Sequence, residues 1–466
     1  MKRTFYSLCL AIVLFSGCVV GPDYRRPKPI ISDSYTQIDS KTDVEQSEGA
    51  DLTDWWKNID DPVLNELIVQ ATANGEENGG NLTLREMAWR IQQSRAQVGI
   101  VRSELFPQCK ADGSYTIYKS AGIPGAQEQW NLGTTMAWEI DVFGRLKRYT
   151  EASLAELEGQ TDLYWDAYIL LLSEIATQYV TARLYQEELE ISEENIEIRK
   201  RTLQLTEEMF KVGSGNKLDV VQAQGQLQAI EAEVPAIRAG LRTTLNRLSV
   251  LTGQVPGAVD EMMTEKRAMP AVPEKLLVGF PAELLRRRPD VRAAEQTLIA
   301  QNARIGGAMG DLYPIFSING VFGLQANSFS KLWSSDSIAA SASPGFTWNI
   351  LNFGKYRSAV RLQEAAFQEM AASYQNTVLK AAEEVDNALS SYVNEKDRTQ
   401  KLALAVDSYD QALKYSEQRY TNGTSDFQRV LDAQRDKLEY DILLVRSQAN
   451  SVIDLYRALG GGWESL

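Results

Sequence analysis

Histidine is absent from all 466 residues. With it go Ser-His-Asp and Cys-His catalysis, His-ligated metal sites and any histidine pH switch. Cysteine is scarce as well, and Cys9, Cys18 and Cys109 cannot build a disulfide framework. Basic excess is missing: 48 Lys and Arg against 62 Asp and Glu leave a net charge of −14. That balance disfavours nucleic acid as a partner, because such affinity rests on clustered cations. Long apolar runs are lacking too. The run that opens the chain, Phe5 to Phe15, has eleven residues where a membrane-spanning helix takes about 20. No cluster of carboxylates or lysines replaces the missing histidine chemistry. The chain is therefore read as a non-enzyme, with no cofactor and no metal. Its 44% hydrophobic and 24% charged residues suit a folded protein with ample core.

The start of the chain reads as a targeting signal. Lys2 and Arg3 precede the apolar run, and Phe15-Ser16-Gly17-Cys18 follows it. The small pair before cysteine resembles a bacterial lipobox. Residues 1–17 are thus expected to be a lipoprotein signal peptide, and Cys18 the lipidated, palmitate-bearing N-terminus. The alternative is an ordinary signal peptide cut nearby, with Cys18 a free thiol. Val19 stands where lipoprotein sorting in enteric bacteria reads Asp as inner-membrane retention, which favours the outer membrane of a Gram-negative cell. Residues 18–49 contain Pro, Ser and Asp and read as an extended tether to that membrane's lipid.

One long repeat organises the rest. A shift of 210 lays Trp138-Glu139-Ile140-Asp141-Val142-Phe143-Gly144 on Trp348-Asn349-Ile350-Leu351-Asn352-Phe353-Gly354. The same shift puts Phe210 and Gly213 on Tyr420 and Gly423, and a shift of 207 puts Leu105-Phe106-Pro107 on Leu312-Tyr313-Pro314. The first repeat occupies 50–252, a linker 253–285, the second repeat 286–459 and a tail 460–466. Each repeat reads as helix, two strands, very long helix, tight turn, helix. Residues 145–212 and 355–421 hold no proline or clear break, giving roughly 100 Å of helix each at 1.5 Å rise. Leu438, Ile442, Val445, Ala449, Val452, Tyr456 and Leu459 keep 4-3 spacing, the mark of coiled-coil packing. Return helices near 217–252 and 427–459 span only half of that length, so the shorter helices near 84–104 and 289–310 are expected to stack end-on above them. Pro235 lies inside one return helix and is expected to kink it.

The strands lie near 108–143 and 314–353. In 130–142, Trp130, Leu132, Thr134, Met136, Trp138, Ile140 and Val142 take one face and polar or small residues the other. Residues 316–324 and 342–350 alternate likewise, and 113–121 more weakly. Segments of about ten residues with this alternation are the pattern of transmembrane strands, although a soluble sheet packed on helices shares it. Four strands cannot close a barrel, and open edges are not tolerated in lipid. Three chains would supply 12 strands and six helical hairpins; two would supply eight strands and a filled lumen.

These residues resemble the outer-membrane factor family, the TolC/OprM-like exit ducts, and its lipoprotein branch. Cys18 with Gly21-Pro22-Asp23-Tyr24 and Arg26-Pro27 is similar to that branch's mature start. Trp55-Trp56, Asp61-Pro62, Leu64 and Leu67 resemble its tryptophan-pair motif, and RRRPDVRAAE at 286–295 its motif opening the second repeat. The resemblance covers nearly the whole chain. It implies a homotrimer with a shared 12-stranded barrel, an α-helical tunnel in the periplasm and a mixed equatorial region from about 50–80, the linker and the tail. It also implies a periplasmic adaptor (membrane fusion protein) and an inner-membrane efflux pump of RND type as partners, with passive export of small molecules such as drugs. A TolC-like duct for protein secretion is the rival within the class, and a periplasmic coiled-coil adaptor lipoprotein the rival outside it.

The resemblance places adaptor contacts at the turns Phe210 to Gly213 and Tyr420 to Gly423. It places the periplasmic gate at Asp432-Ala433-Gln434-Arg435, with Gln428 where OprM-like members carry a pore-narrowing leucine. Three copies of Asp432 would gather around the pore, and Arg435 would clamp neighbouring helices; the alternative is an ordinary i,i+3 pair on one helix surface. Glu187, Glu188, Glu190, Glu193, Glu194 and Glu197 read as a solvated acidic face, and Cys109 as an inert small residue. Gly213-Ser214-Gly215-Asn216-Lys217 lacks phosphate-loop spacing and follows a helix.

Overall fold

A computed structural model of the chain describes residues 19–28, 30–32, 44–46, 52–73, 80–122, 124–267, 276–278, 287–447 and 451–463. Cys18, the leader, half of the tether and much of the linker lie outside the described residues. In chain order the elements are β1 (Val44–Gln46), a 3-10 turn at Trp55–Ile59, α1 (Pro62–Thr72), α2 (Leu82–Ser103), β2 (Gln108–Tyr118), β3 (Gln127–Ile140), α3 (Arg145–Lys211) and α4 (Lys217–Leu251). There follow β4 (Leu276–Val278), α5 (Pro289–Gly310), β5 (Ile315–Ala326), β6 (Ile338–Thr347), α6 (Lys355–Thr421), α7 (Phe427–Ser447) and α8 (Ser451–Ala458). β1 and β4 form a short parallel pair.

The long helices α3 and α6 have 67 residues each. Each starts directly after a glycine with positive φ, Gly144 (+74°) or Gly354 (+88°), which turns the chain into the helix. Each stops at Gly213 (φ +78°) or Gly423 (+68°), a left-handed residue just past the last helical turn. α4 runs through Pro235 without interruption.

The chain divides into two compact units. The first holds 19–28, 89–163 and 290–377. Its sheet is antiparallel with strand order β2-β3-β5-β6. Cross-strand rows alternate in character. Ile140, Phe316 and Phe346 form one row and Trp138, Ile318 and Pro344 the next on the same face. Ser114, Asn131 and Gln325 share a row on the other face, as do Lys110, Thr135, Val321 and Ser341. The sequence pattern carries the fourth strand to Ile350, whereas β6 ends at Thr347; β2 starts at Gln108, ahead of the alternation at 113. Both strand openings are held by the same bond in each repeat. The Trp138 indole N–H donates to Leu105 O at 3.0 Å and the Trp348 indole N–H to Leu312 O at 3.1 Å.

Within this unit α3 and α5 touch through small side chains. Ala152, Ala155, Ala300 and Ala303 form a buried seam. A Cβ added to Gly306 would lie 2.8 Å from Arg148 Cγ, one on Gly307 2.8 Å from the Tyr149 ring and one on Gly310 2.7 Å from Arg145 Cβ. Only glycine permits that approach.

The second unit holds 30–88, 164–289 and 378–463 where described. One core joins Trp55, Trp56 and α1 to α3 through Leu172, Ile175 and Tyr179, to α6 through Val385 and Leu389, and to α8 through Ile453 and Tyr456. Trp55 stacks on Tyr456 at 5.1 Å. The short helices do meet the return helices end-on here. Asn81 caps α2 by accepting from Thr83 N–H (2.8 Å) and Leu84 N–H (3.2 Å), while its Nδ2 donates to Leu251 O, the last carbonyl of α4, at 2.8 Å. In the second repeat Arg288, just before α5, donates to Ala458 O at the end of α8 at 2.9 Å.

Candidate functional site

Three regions carry the expected function: the sheet, the two tip turns and the segment opening α7. The strands are 11, 14, 12 and 10 residues long, and a tilted membrane-crossing strand needs about 9–11. On the apolar face, Ile117, Leu132, Phe322, Ile338 and Phe346 stand exposed. A contiguous apolar surface of this kind marks contact with lipid or protein. On the other face Thr135 Oγ1 donates to Asp112 Oδ2 (2.7 Å) and Asn131 Nδ2 to Ser114 Oγ (3.1 Å), as suits a wet lumen. Cys109 is exposed, a free thiol in edge strand β2.

The tip turns share one backbone plan. Gly213 N–H donates to Phe210 O (3.1 Å) and Ser214 N–H to Met209 O (3.0 Å); Gly423 N–H donates to Tyr420 O (2.9 Å) and Thr424 N–H to Arg419 O (2.9 Å). Their aromatic residues differ. Phe210 is 43% exposed with the Lys217 ammonium 5.6 Å above its ring. Tyr420 is 6% exposed, packs on Phe427 at 5.1 Å and donates to Asp219 Oδ2 at 3.2 Å. Burial, then the Asp219 carboxylate, pushes the Tyr420 phenol up to about 12. Tyr420, expected to face an adaptor, is turned inward and braces the first turn of α4. A cleft of about 390 Å³ opens beside it, lined by Leu205, Leu413, Glu417 and Val430 among others.

At the start of α7, Gln428, Asp432 and Arg435 share one exposed face. Gln428 Nε2 donates to Asp432 Oδ1 at 3.1 Å, and Arg435 lies 3.8 Å from Asp432. Arg435 bonds more closely to Asp436, at 3.0 Å, so within the chain it pairs along its own helix. Gln434 points the other way, buried, donating to Thr202 Oγ1 at 2.9 Å.

The acidic run is largely solvated, with Glu190, Glu193, Glu194 and Glu197 exposed, but Glu188 is the exception. Glu188 is buried and accepts from Arg446 at 2.6 Å, while Glu190, Glu193 and Glu197 pair with Lys266, Arg238 and Lys200. Sequence reading also missed a strap. Residues 19–26 lie on the first unit, where Val20 N–H donates to Phe143 O (3.0 Å) and Arg148 donates to Val20 O, Gly21 O and Asp23. Arg26 makes a two-pronged pair with Glu295 at 2.5 and 2.6 Å, and Tyr24 donates to the same carboxylate.

Residues 76–254 and 280–461 match the family model described as outer membrane efflux protein. A solved outer-membrane channel, OprN, superposes with a TM-score of 0.88 at 34% identity, covering 96% of this chain and all of that one. The toluene efflux pump outer membrane protein TtgF of Pseudomonas putida is 28% identical, over 100% of this chain and 98% of its own. The cation efflux system protein CusC of Escherichia coli is 26% identical, over 98% of each.

Proposed function

The chain belongs to the outer membrane efflux protein family, and from that premise we propose that it forms the passive exit duct of a tripartite efflux system. Members of this family are channels, not enzymes. One observation carries the reading: a four-stranded antiparallel sheet with one aligned apolar face and, among the described residues, both edges open. Open edges in hydrocarbon leave backbone donors and acceptors unpaired at several kcal/mol each. Closure by three copies gives 12 strands and a water-filled lumen lined by the polar rows, together with a tunnel of six helical hairpins.

In this reading Cys18 carries the lipid anchor in the outer membrane. The turns at Phe210, Gly213 and Gly423 meet a periplasmic adaptor, with Tyr420 bracing them from inside. The adaptor links the duct to an RND-type inner-membrane pump. Asp432, Arg435 and Gln428 line the periplasmic gate. TtgF and CusC are named for different cargo, toluene and cations; the exported class here is small molecules.

The test is to purify the mature protein from outer membranes, image it with symmetry left free and record single channels in planar bilayers. A three-fold particle that conducts, and conducts more after Asp432→Ala with Arg435→Ala, supports duct and gate together. A monomeric particle removes the duct. A conducting trimer unchanged by the double substitution removes only the gate assignment.

A further inference from the structure

The cleft beside Tyr420 lies between the two hairpins of the second unit, with α3 on one side and α6 and α7 on the other. Its volume of about 390 Å³ falls within the roughly 300–1,000 Å³ of sites that hold small organic ligands. Ile198 and Leu205 of α3, Leu413 of α6 and Val430 of α7 give it apolar walls.

Charged side chains line it too, and all but one have a counter-charge within the chain. Lys414 pairs with Asp410 at 2.5 Å and Lys437 with Asp441 at 2.7 Å. Arg201 is exposed to water and, behind Lys200, helps to hold the Glu197 carboxyl below its ordinary value. Glu417 is the exception. It is half-buried and has no ion pair among the described residues. Burial pushes its carboxyl up, and what opposes burial is a hydrogen bond from Gln434, not a cation.

The Gln434 side chain is itself incomplete. It is buried, its Nε2 donates to Thr202 Oγ1 in the cleft wall, and its Oε1 accepts no bond among the described residues. A bare amide oxygen and a half-buried carboxylate are both acceptors, and each costs free energy until a donor reaches it. Tyr420, three residues after Glu417 on α6, adds an aromatic ring of the kind that attracts cations.

We propose that this cleft is a binding site for a small apolar molecule carrying a protonated amine. The ammonium pairs with Glu417 and donates to Gln434 Oε1, while the hydrocarbon body covers Leu205, Leu413 and Val430. Water in the cleft would satisfy the amide oxygen but leave Glu417 without a counter-charge. An anionic ligand meets repulsion from Glu417, and the lysines at the rim already hold their own carboxylates. A ligand seated in this way touches both hairpins. Gln428, Asp432 and Arg435 do not line the cleft, so the site is separate from their exposed face. It uses residues of one chain and does not depend on trimeric closure.

The test is calorimetric titration of the full-length protein in mild detergent with phenethylammonium, and with phenylpropionate as an anion of similar size. We expect the amine to bind at one site per chain and the acid at least about tenfold more weakly. Glu417→Gln keeps shape and hydrogen bonding but removes the charge, and should weaken the amine at least about tenfold. Leu205→Trp, which fills the cleft, should do the same with Glu417 intact. Glu207→Gln, at an exposed carboxylate of α3, should leave the affinity unchanged, which separates the site from general attraction of amines to a chain of charge −14. Thr421 lines the cleft and is exposed, so in Thr421→Cys the amine should protect that thiol from maleimide and leave Cys109 reactive. Equal affinity for amine and acid, equal affinity of the native and Glu417→Gln chains, or no protection at position 421 overturns the proposal. Native mass spectrometry of the same samples reports the trimer separately, so the site can fail while the duct stands.

Discussion

The helices α2 and α5 hold the same place in the two repeats and have 22 residues each. Their surroundings are opposite. α5 buries Val291, Leu298, Ala300, Ala303 and Ile305, whereas in α2 only Leu84 is buried and Trp89 is 62% exposed. Composition alone does not produce the difference. α5 carries Gly306, Gly307 and Gly310, which admit Arg148, Tyr149 and Arg145 of α3 within the chain. α2 keeps one glycine of that group, Gly99, and nothing lies within 4 Å of a Cβ placed there. The lesson is that a repeat can be equivalent in sequence and half-finished in space. The second repeat finds its seat in its own chain, and in the proposed trimer the first would find its seat in another copy.

The sharpest way to break this comparison is one substitution at both glycines. Gly306→Leu drives a side chain into the stem of Arg148, which four hydrogen bonds to Val20, Gly21, Asp23 and Glu151 hold in place. Overpacking at such a site costs about 3 kcal/mol, and we expect poor folding or a large drop in thermal midpoint. Gly99→Leu should leave the isolated chain as stable or more so, by up to about 1 kcal/mol of helix propensity, while trimers disappear from the native mass spectrum. If both variants lose the same amount of monomer stability, the two seats are not different in kind.

A smaller contrast lies at the two end-on junctions. Arg288 is buried, donates to Ala458 O and pairs with Glu384 at 2.7 Å, so Arg288→Ala removes charged bonds worth about 2 kcal/mol. Asn81→Ala removes a neutral cap and one bond to Leu251 O, about 1 kcal/mol. Denaturant midpoints of the two variants should fall in that order. Equal midpoints would mean that the junctions are interchangeable despite their different chemistry.

Much of this frame is legible in the sequence because it is periodic. Two-residue alternation marks Trp130 to Ile140, unbroken helical spacing marks 145–211, and the shift of 210 exposes the repeat. What escapes is contact without period. Arg26 and Glu295 are 269 positions apart, and no local pattern ties them. Glu188 lies in a run of carboxylates that reads as solvated, yet Arg446 from another hairpin covers it. Tyr420 aligns with Phe210 in the repeat but turns inward because Asp219 and Phe427 are there to receive it. The shared face of Gln428, Asp432 and Arg435 follows from helical spacing, whereas the closer partner of Arg435, Asp436, is an adjacent residue that spacing rules pass over.

The faintest difference between the two seats is electrostatic. Asp162 on α3 is buried against Arg292 of α5 at 2.9 Å, and its Oδ2 accepts no bond among the described residues. Burial pushes its carboxyl up to about 6, Arg292 opposes that, and Glu158 and Glu295 add to it. The residue 210 positions on is Ala372, so the seat between copies carries no such group. A pKa raised from about 3.9 in the unfolded chain favours the folded state most when the carboxyl is protonated. That contribution is full below about pH 4 and is lost as pH rises through about 6. At pH 7.5 the ionised carboxylate should therefore cost the internal seat about 1 kcal/mol relative to Asp162→Asn, after the lost ion pair is counted. The thermal midpoint of the variant minus that of the native protein should be positive at pH 7.5 and shrink toward zero by pH 4. Trimer dissociation should show no such pH term. A gap that stays flat, or one that grows on acidification, would place Asp162 in a solvated site and leave the two seats electrostatically alike.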